Sequence, residues 1–359
     1  MPITPLKPLK GQHATPEYLA FLEDAIRRKP DSETITDLAR RIGAHRLALG
    51  RIARDMAQPP PDRPTFQPSI VPSADMDSGE LIAHLAKRSR AHRARFEAEK
   101  NRRIKINTSE PFAIAWFTDV HLGDNGCNYD QLMADCRQVE KSPHAFGVFM
   151  GDASNNWPVT GKLAKQWAEQ ETSKHMERQL VQWFLHESGV PWLFWALGNH
   201  DLWGDGETIL RGMNADLVPM ASWGAKLTLE MANGRECRMD LAHNHKGFSM
   251  WNPLHAETKA AQMGWESDFV FSGHLHNAAL HFEELAAKGR SVWLMRAKGY
   301  KEADSYSFQN GYEEQKEGHA GVTIIDPRTR RQNPIVHATL SVEEGMDYLA
   351  WLRSRPVLD

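Results

Sequence analysis

Residues 191–203 read PWLFWALGNHDLW, an apolar run that stops at a glycine and is followed at once by Asn199, His200 and Asp201. Six apolar residues bounded by proline and glycine have the length of a buried strand rather than of a helix. The polar group at its end pairs an amide oxygen suited to a metal ion with an imidazole able to donate to a phosphoryl oxygen. The construction recurs along the chain. FAIAWFTDVHLG at 112–123 carries Asp119 and His121 at its end, and FGVFMGD at 146–152 carries Asp152. CRMDLAHNH at 237–245 carries His243, and DFVFSGHLH at 268–276 carries His274 and His276. Between such runs lie helical stretches, residues 161–188 among them, so strands and helices alternate and the class is α/β. Loops at strand ends are where sheets of this class place their sites.

Read singly, these motifs are weak. Asp119 could cap a helix, Asp152 could hold a turn and Asn199 could supply a left-handed turn residue. Their recurrence in order, each after a strand-like run, is what points to one centre. Alternate residues of an extended segment point the same way, so Asp119 and His121 are expected to grip one ion, and His274 and His276 to lie on one side. Asp152 has two carboxylate oxygens with which to bridge two cations. Imidazoles mixed with hard oxygens suit manganese, iron, zinc or nickel better than calcium.

Together, Asp119-x-His121, Gly151-Asp152, Gly198-Asn199-His200-Asp201, His243 and Gly273-His274-x-His276 resemble the full signature of the calcineurin-like metallophosphoesterases, over about residues 111–330. The resemblance implies a sandwich of two mixed β-sheets flanked by helices, with two metals at the strand ends. It implies that Asp119, His121, Asp152 and His276 hold one divalent transition-metal ion, manganese foremost, and that Asp152 bridges to a second held by Asn199, His243 and His274. His200 would then assist the leaving group, oriented by Asp201 or by a backbone carbonyl. Two metals of this kind turn a bridging water into a hydroxide for in-line attack on phosphorus. In two places the chain departs from the pattern. His243 and His245 flank Asn244, which leaves two candidates for one ligand position, and Asp152 is followed by ASNN rather than the Asp-Arg-Gly run of Ser/Thr protein phosphatases. Residues 243–253, HNHKGFSMWNP, with a helical N-terminal unit, also resemble phage and prophage metallophosphoesterases. Whether Trp251, Tyr300 and Lys301 line the pocket stays open.

Before Pro111 the texture differs. Residues 1–58 are expected to form a helical, helix-turn-helix-like domain, with Ala39 where two helices cross, Gly43 in the turn and a candidate recognition helix carrying His45, Arg46 and Arg51. Residues 59–76 read as a proline-rich linker and 77–106 as one basic helix with a weak apolar stripe of Leu81, Leu85, His92 and Phe96. The catalytic domain is placed at 107–340 and a helical tail at 341–359.

Net charge is only -3, yet residues 86–106 are strongly basic, which suits DNA or RNA meeting residues 32–105. Three cysteines without paired spacing point to neither a disulfide framework nor a zinc ribbon. No stretch approaches the length of a bilayer span and the first residues lack a signal-peptide core, so a soluble, cytoplasmic protein is expected. The expected activity is hydrolysis of a phosphodiester, nucleic acid first. A small phosphoester substrate is the alternative, and a phage-type DNA-binding or assembly protein with an incidental metal site is the rival from outside enzymology.

Overall fold

The apolar runs pair into two six-stranded mixed sheets in a computed structural model that describes residues 15–57, 76–215, 217–302 and 315–355. The first sheet has the order β1 (Asn101–Ile106), β6 (Gly224–Met231), β7 (Glu236–Ala242), β8 (Phe269–Ser272), β10 (Arg290–Arg296) and β9 (Ala279–Leu285). The second runs β12 (Ile335–Thr339), β11 (Gly321–Ile325), β2 (Phe112–Phe117), β3 (Ala145–Met150), β4 (Trp192–Leu197) and β5 (Met220–Ser222). Strands β2 to β5 are mutually parallel, as are β7, β8 and β10, so the carboxyl ends of these strands collect at one edge of each sheet.

Period-two alternation decides which side chain goes where. On β2, Phe112, Ile114 and Trp116 enter the core between the sheets, where they meet Leu227, Met239, Phe269 and Phe271. Ala113, Ala115 and Phe117 enter the outer core, against α5 (Tyr129–Lys141), α7 (Lys174–His186) and the final helix. On the outer face of the first sheet, α9 (His255–Met263) packs through Ala261 near Val270, Val292 and Leu294. The result is an α/β sandwich of two mixed sheets flanked by helices.

Residues 1–82 and 83–359 form two compact units. In the first, α1 (Pro16–Arg27), α2 (Ile35–Arg41) and α3 (Arg46–Ala57) enclose a small core of Tyr18, Leu22, Leu38, Ala39 and Leu49, with Gly43 at φ +66° in the turn before α3. Thr15 and Thr34 cap α1 and α2 by accepting the backbone N–H of Tyr18 and Asp37. The expected linker falls almost wholly outside the described residues.

Three sequence expectations change. The basic helix over 77–106 ends early: α4 is Ser78–Lys100, and residues 101–106 form β1, parallel to β6 from Asn101↔Lys226 to Ile106↔Met231. NRRIKI alternates in burial with period two, and its isoleucines gain a sheet face that a helix would not offer. The apolar stripe on α4 is not a buried face, since Leu85 is 49% and Phe96 51% exposed. Finally, the C-terminal segment is no appendage: the helix Val342–Arg353, α10 here, buries Val342, Met346 and Leu349 in the outer core of the second sheet.

Candidate metal centre

Five strands end at the same place. Asp119 and His121 follow β2, Asp152 follows β3, Asn199 and His200 follow β4, His243 follows β7, and His274 and His276 follow β8. The convergence does not come from extended backbone, as strand alternation predicted. Asp119, His121, Asp152, His274 and His276 all have positive φ, between 47° and 67°. Left-handed backbone costs a non-glycine residue of order 1 kcal/mol, and such outliers cluster at functional sites. Strands β2, β3 and β8 therefore stop short of their ligand-type residues, and left-handed backbone there swings the side chains inward. One consequence separates His274 from His276: His276 joins Asp119 and His121, whereas His274 joins Asp152 and His243.

Three groups of ligand-type atoms overlap: Asp119–His121–His276, His121–Asp152–His200 and Asp152–His243–His274, the atoms in each lying within 4.8 Å of one another. Asp152 is shared. Its Oδ1 accepts the backbone N–H of His200 at 2.9 Å, while its Oδ2 lies 3.2 Å from Nε2 of His243, 3.9 Å from that of His200 and 4.0 Å from that of His121. Asn199 adds Oδ1, 3.2 Å from His243 Nε2.

The donor set fits cations. Asp119 spends Oδ2 on the Thr118 hydroxyl and the His274 backbone N–H, leaving Oδ1 buried with no hydrogen-bond partner. His121 Nε2 is buried and unpartnered in the same way. An orphaned buried polar atom costs about 1–3 kcal/mol, so two side by side need an occupant. Tautomers agree: Nδ1 of His121 faces Asn155 Oδ1 at 2.8 Å, Nδ1 of His200 faces the Asn155 carbonyl at 2.5 Å, and Nδ1 of His243 faces the Met150 carbonyl at 2.7 Å. Each Nδ1 donates to an oxygen acceptor, so each Nε2 is aimed inward, the usual arrangement behind a metal-ligating histidine.

Charges follow from this packing. Burial holds His121 well below its ordinary value, with His200 and Lys301 pushing the same way, and burial also lowers His200 and His274. These imidazoles are neutral and offer lone pairs. Burial opposes ionisation of Asp152, yet the surrounding imidazoles, His243 foremost, hold its carboxyl well below the usual range. Burial likewise opposes protonation of His243, but Asp152 and Asp119 raise it to about 10. In the metal-free protein His243 is thus the imidazolium partner of Asp152, and a cation would take the place of its proton.

Of the two groups expected to orient His200, Asp201 or a backbone carbonyl, the structure has the carbonyl, that of Asn155, and Asp201 does something else. Its carboxylate accepts backbone N–H groups from Asp152 at 2.7 Å, Gly198 at 2.9 Å and Ala153 at 3.0 Å, tying the β3 turn to the β4 turn. The orientation of His200 comes from the Asn155 carbonyl. Asn155 was the residue the sequence concealed: its amide donates to Asp124 and Gln170 while its carbonyl and side-chain oxygens set two imidazoles. Only its place three residues after Asp152 hinted at it. Lys301 sits 2.9 Å from Asp124 and 5.1 Å from the Trp157 ring, which in turn lies 4.8 Å from His200. Tyr300 is fully buried and donates its hydroxyl to Asp135 at 2.7 Å, so it does not line the site, and Trp251 is 91% exposed. His245 joins none of the three groups.

No family model matches the chain, and no curated protein does. Among solved structures it is similar to the calcineurin-like phosphoesterase YfkN from Bacillus subtilis, at 12% identity over 68% of this chain and 97% of that one, with a TM-score of 0.34. It is also similar to a Vps29 single mutant from Entamoeba histolytica, at 9% identity over 60% and 85% of the two chains and a TM-score of 0.33. Wild-type Vps29 complexed with zinc from the same organism gives 10%, 59%, 91% and 0.31. Likenesses this distant carry no functional assignment, which rests on the geometry at the strand ends.

Proposed function

We propose that this chain is a metal-dependent phosphoesterase of the calcineurin-like type that hydrolyses phosphodiester bonds in nucleic acid. The observation that carries the reading is the overlap of two ligand groups on Asp152, with orphaned Asp119 Oδ1 and His121 Nε2 beside them. Asp119, His121, Asp152 and His276 would hold one divalent cation, and Asp152, Asn199, His243 and His274 a second, manganese being the first to test. Cations so held acidify water and neutralise phosphoryl oxygens. His200, kept by Asn155 with Nε2 inward, is the group placed to protonate or stabilise the leaving oxygen. Asn155 holds the tautomer and Asp201 the turns, so both are positioning residues.

Exposed Lys87, Arg88, Arg90 and Arg93 on α4 support a polyanionic substrate. The test is metal content and hydrolysis after manganese reconstitution, assayed on single-stranded DNA, duplex DNA, RNA and a chromogenic phosphodiester. The reading requires about two ions per chain and metal-dependent cleavage; a stoichiometry near zero with no hydrolysis of any phosphoester refutes it. Hydrolysis confined to the small diester moves the substrate to a small molecule.

A further inference from the structure

Where the chain crosses from β5 in one sheet to β6 in the other, it does so through Trp223 and Gly224. Trp223 has φ +73°, a conformation in which glycine is the default and a bulky aromatic is strained. Surrounding bonds hold it there. Its backbone N–H donates to the Leu197 carbonyl at 2.9 Å, its carbonyl accepts from the His243 N–H at 2.7 Å, and its indole N–H donates to the Asn244 carbonyl at 3.1 Å. The strain is not repaid by burial, because the residue stays 38% exposed. What the conformation achieves is placement: the ring stands 5.5 Å from that of His243 and 6.4 Å from that of His274. Backbone strain retained for an exposed aromatic beside two ligand-type imidazoles marks a functional surface rather than a packing one.

The loop that Trp223 pins at Asn244 carries further apolar side chains that are exposed among the described residues. Phe248 is 78% exposed, Met250 80% and Trp251 91%, with exposed Lys246 among them. A flat aromatic beside the candidate metal centre, followed by exposed aromatics and a cation on the loop it pins, supplies the components that hold a strand whose bases are free to stack. In a duplex those faces are already stacked on one another. The occupant is therefore a single strand.

We propose that Trp223, together with Phe248 and Trp251, forms a base-stacking subsite beside the metal centre, so that the chain acts on single-stranded nucleic acid in preference to duplex. The proposal rests on the nucleic-acid reading above and narrows it.

The test compares a 12-nucleotide single strand, an abasic strand of the same length and the corresponding duplex, binding to the full-length metal-free protein by fluorescence anisotropy. Stacking of one base changes affinity by about tenfold, so the base-bearing strand should bind about tenfold more tightly than the abasic strand and the duplex. Trp251→Ala alters a residue with no folding role, and Trp223→Gly removes the ring while suiting the left-handed backbone. In the double variant the preference should shrink to within about twofold, with the same loss read as KM rather than kcat in the loaded enzyme. Equal binding of base-bearing and abasic strands by the wild type overturns the proposal, as does a preference that survives both substitutions. If Trp251→Ala changes only self-association or the retention of a protein partner, the loop is a protein contact and the proposal is wrong. Failure of the wider reading looks different: none of the three nucleic acids binds, while the chromogenic diester is still cleaved.

Discussion

His243 and His245 differ in what surrounds them, and that difference makes a prediction. His243 is fully buried, with Nδ1 committed to the Met150 carbonyl and Nε2 within 3.2 Å of both Asp152 and Asn199. Removing its ring should lower metal content and cut hydrolysis by about a hundredfold or more, the upper end of what even outer-shell partners cost. His245→Ala should keep most of both; the reverse result would exchange their roles. Asp135 allows a second prediction. Burial raises its pKa from 3.8 to about 6, against the opposing hydroxyl of Tyr300 and amide of Gln131. Between pH 4 and 6 the folded state then binds more protons at this site than the unfolded state, so stability falls as pH rises through that window and stays lower above it. Asp135→Asn should raise stability by on the order of 1 kcal/mol at pH 8 and by much less at pH 4. Urea melts at the two pH values decide it, since an equal gain at both would place the cause elsewhere.

The strand-end turn is the element on which the site depends. Gly198 follows β4, and a Cβ there would sit 2.2 Å from Asp152 Oδ1 and 2.8 Å from the Asp152 backbone nitrogen. The missing side chain is the space into which the shared carboxylate fits. Gly198→Ala should displace Asp152 and weaken metal binding about tenfold or more, measured by calorimetric titration with manganese. The sheet itself should survive, because β4 buries Phe194, Trp195, Ala196 and Leu197 on its two faces. An unchanged metal affinity would mean that the turn relaxes without moving the carboxylate.

Across the whole molecule, every proposed metal ligand lies after Pro111, while the exposed basic stretch of α4 lies before it. Contacts to several phosphates make affinity fall steeply with salt, and each lost contact flattens the slope by about one. Neutralising Arg88, Arg90, Arg93 and Arg95 together should weaken binding to long nucleic acid and reduce its salt slope, read from binding curves at several salt concentrations. A slope unchanged by the quadruple substitution would make the stretch a solvated face. The variant stops short of β1, whose residues 101–106 belong to the sandwich, so its fold is not at stake. The apolar runs that become β2, β3, β4, β7 and β8, and the side chains that follow them, were legible in the sequence, because an apolar run that ends in a polar or glycine-rich turn is a local property. So were the seven ligand-type residues as candidates. The edge strand β1, the docking of α10 on the second sheet and the role of Asn155 were not legible, because each depends on partners more than 30 residues away. Spacing did not reveal that His274 and His276 part company, which only the resemblance implied, nor that Trp223 stands beside His243 and His274. Those outcomes turn on left-handed backbone at φ 49° to 73°, which a non-glycine residue adopts only when tertiary bonds hold it there.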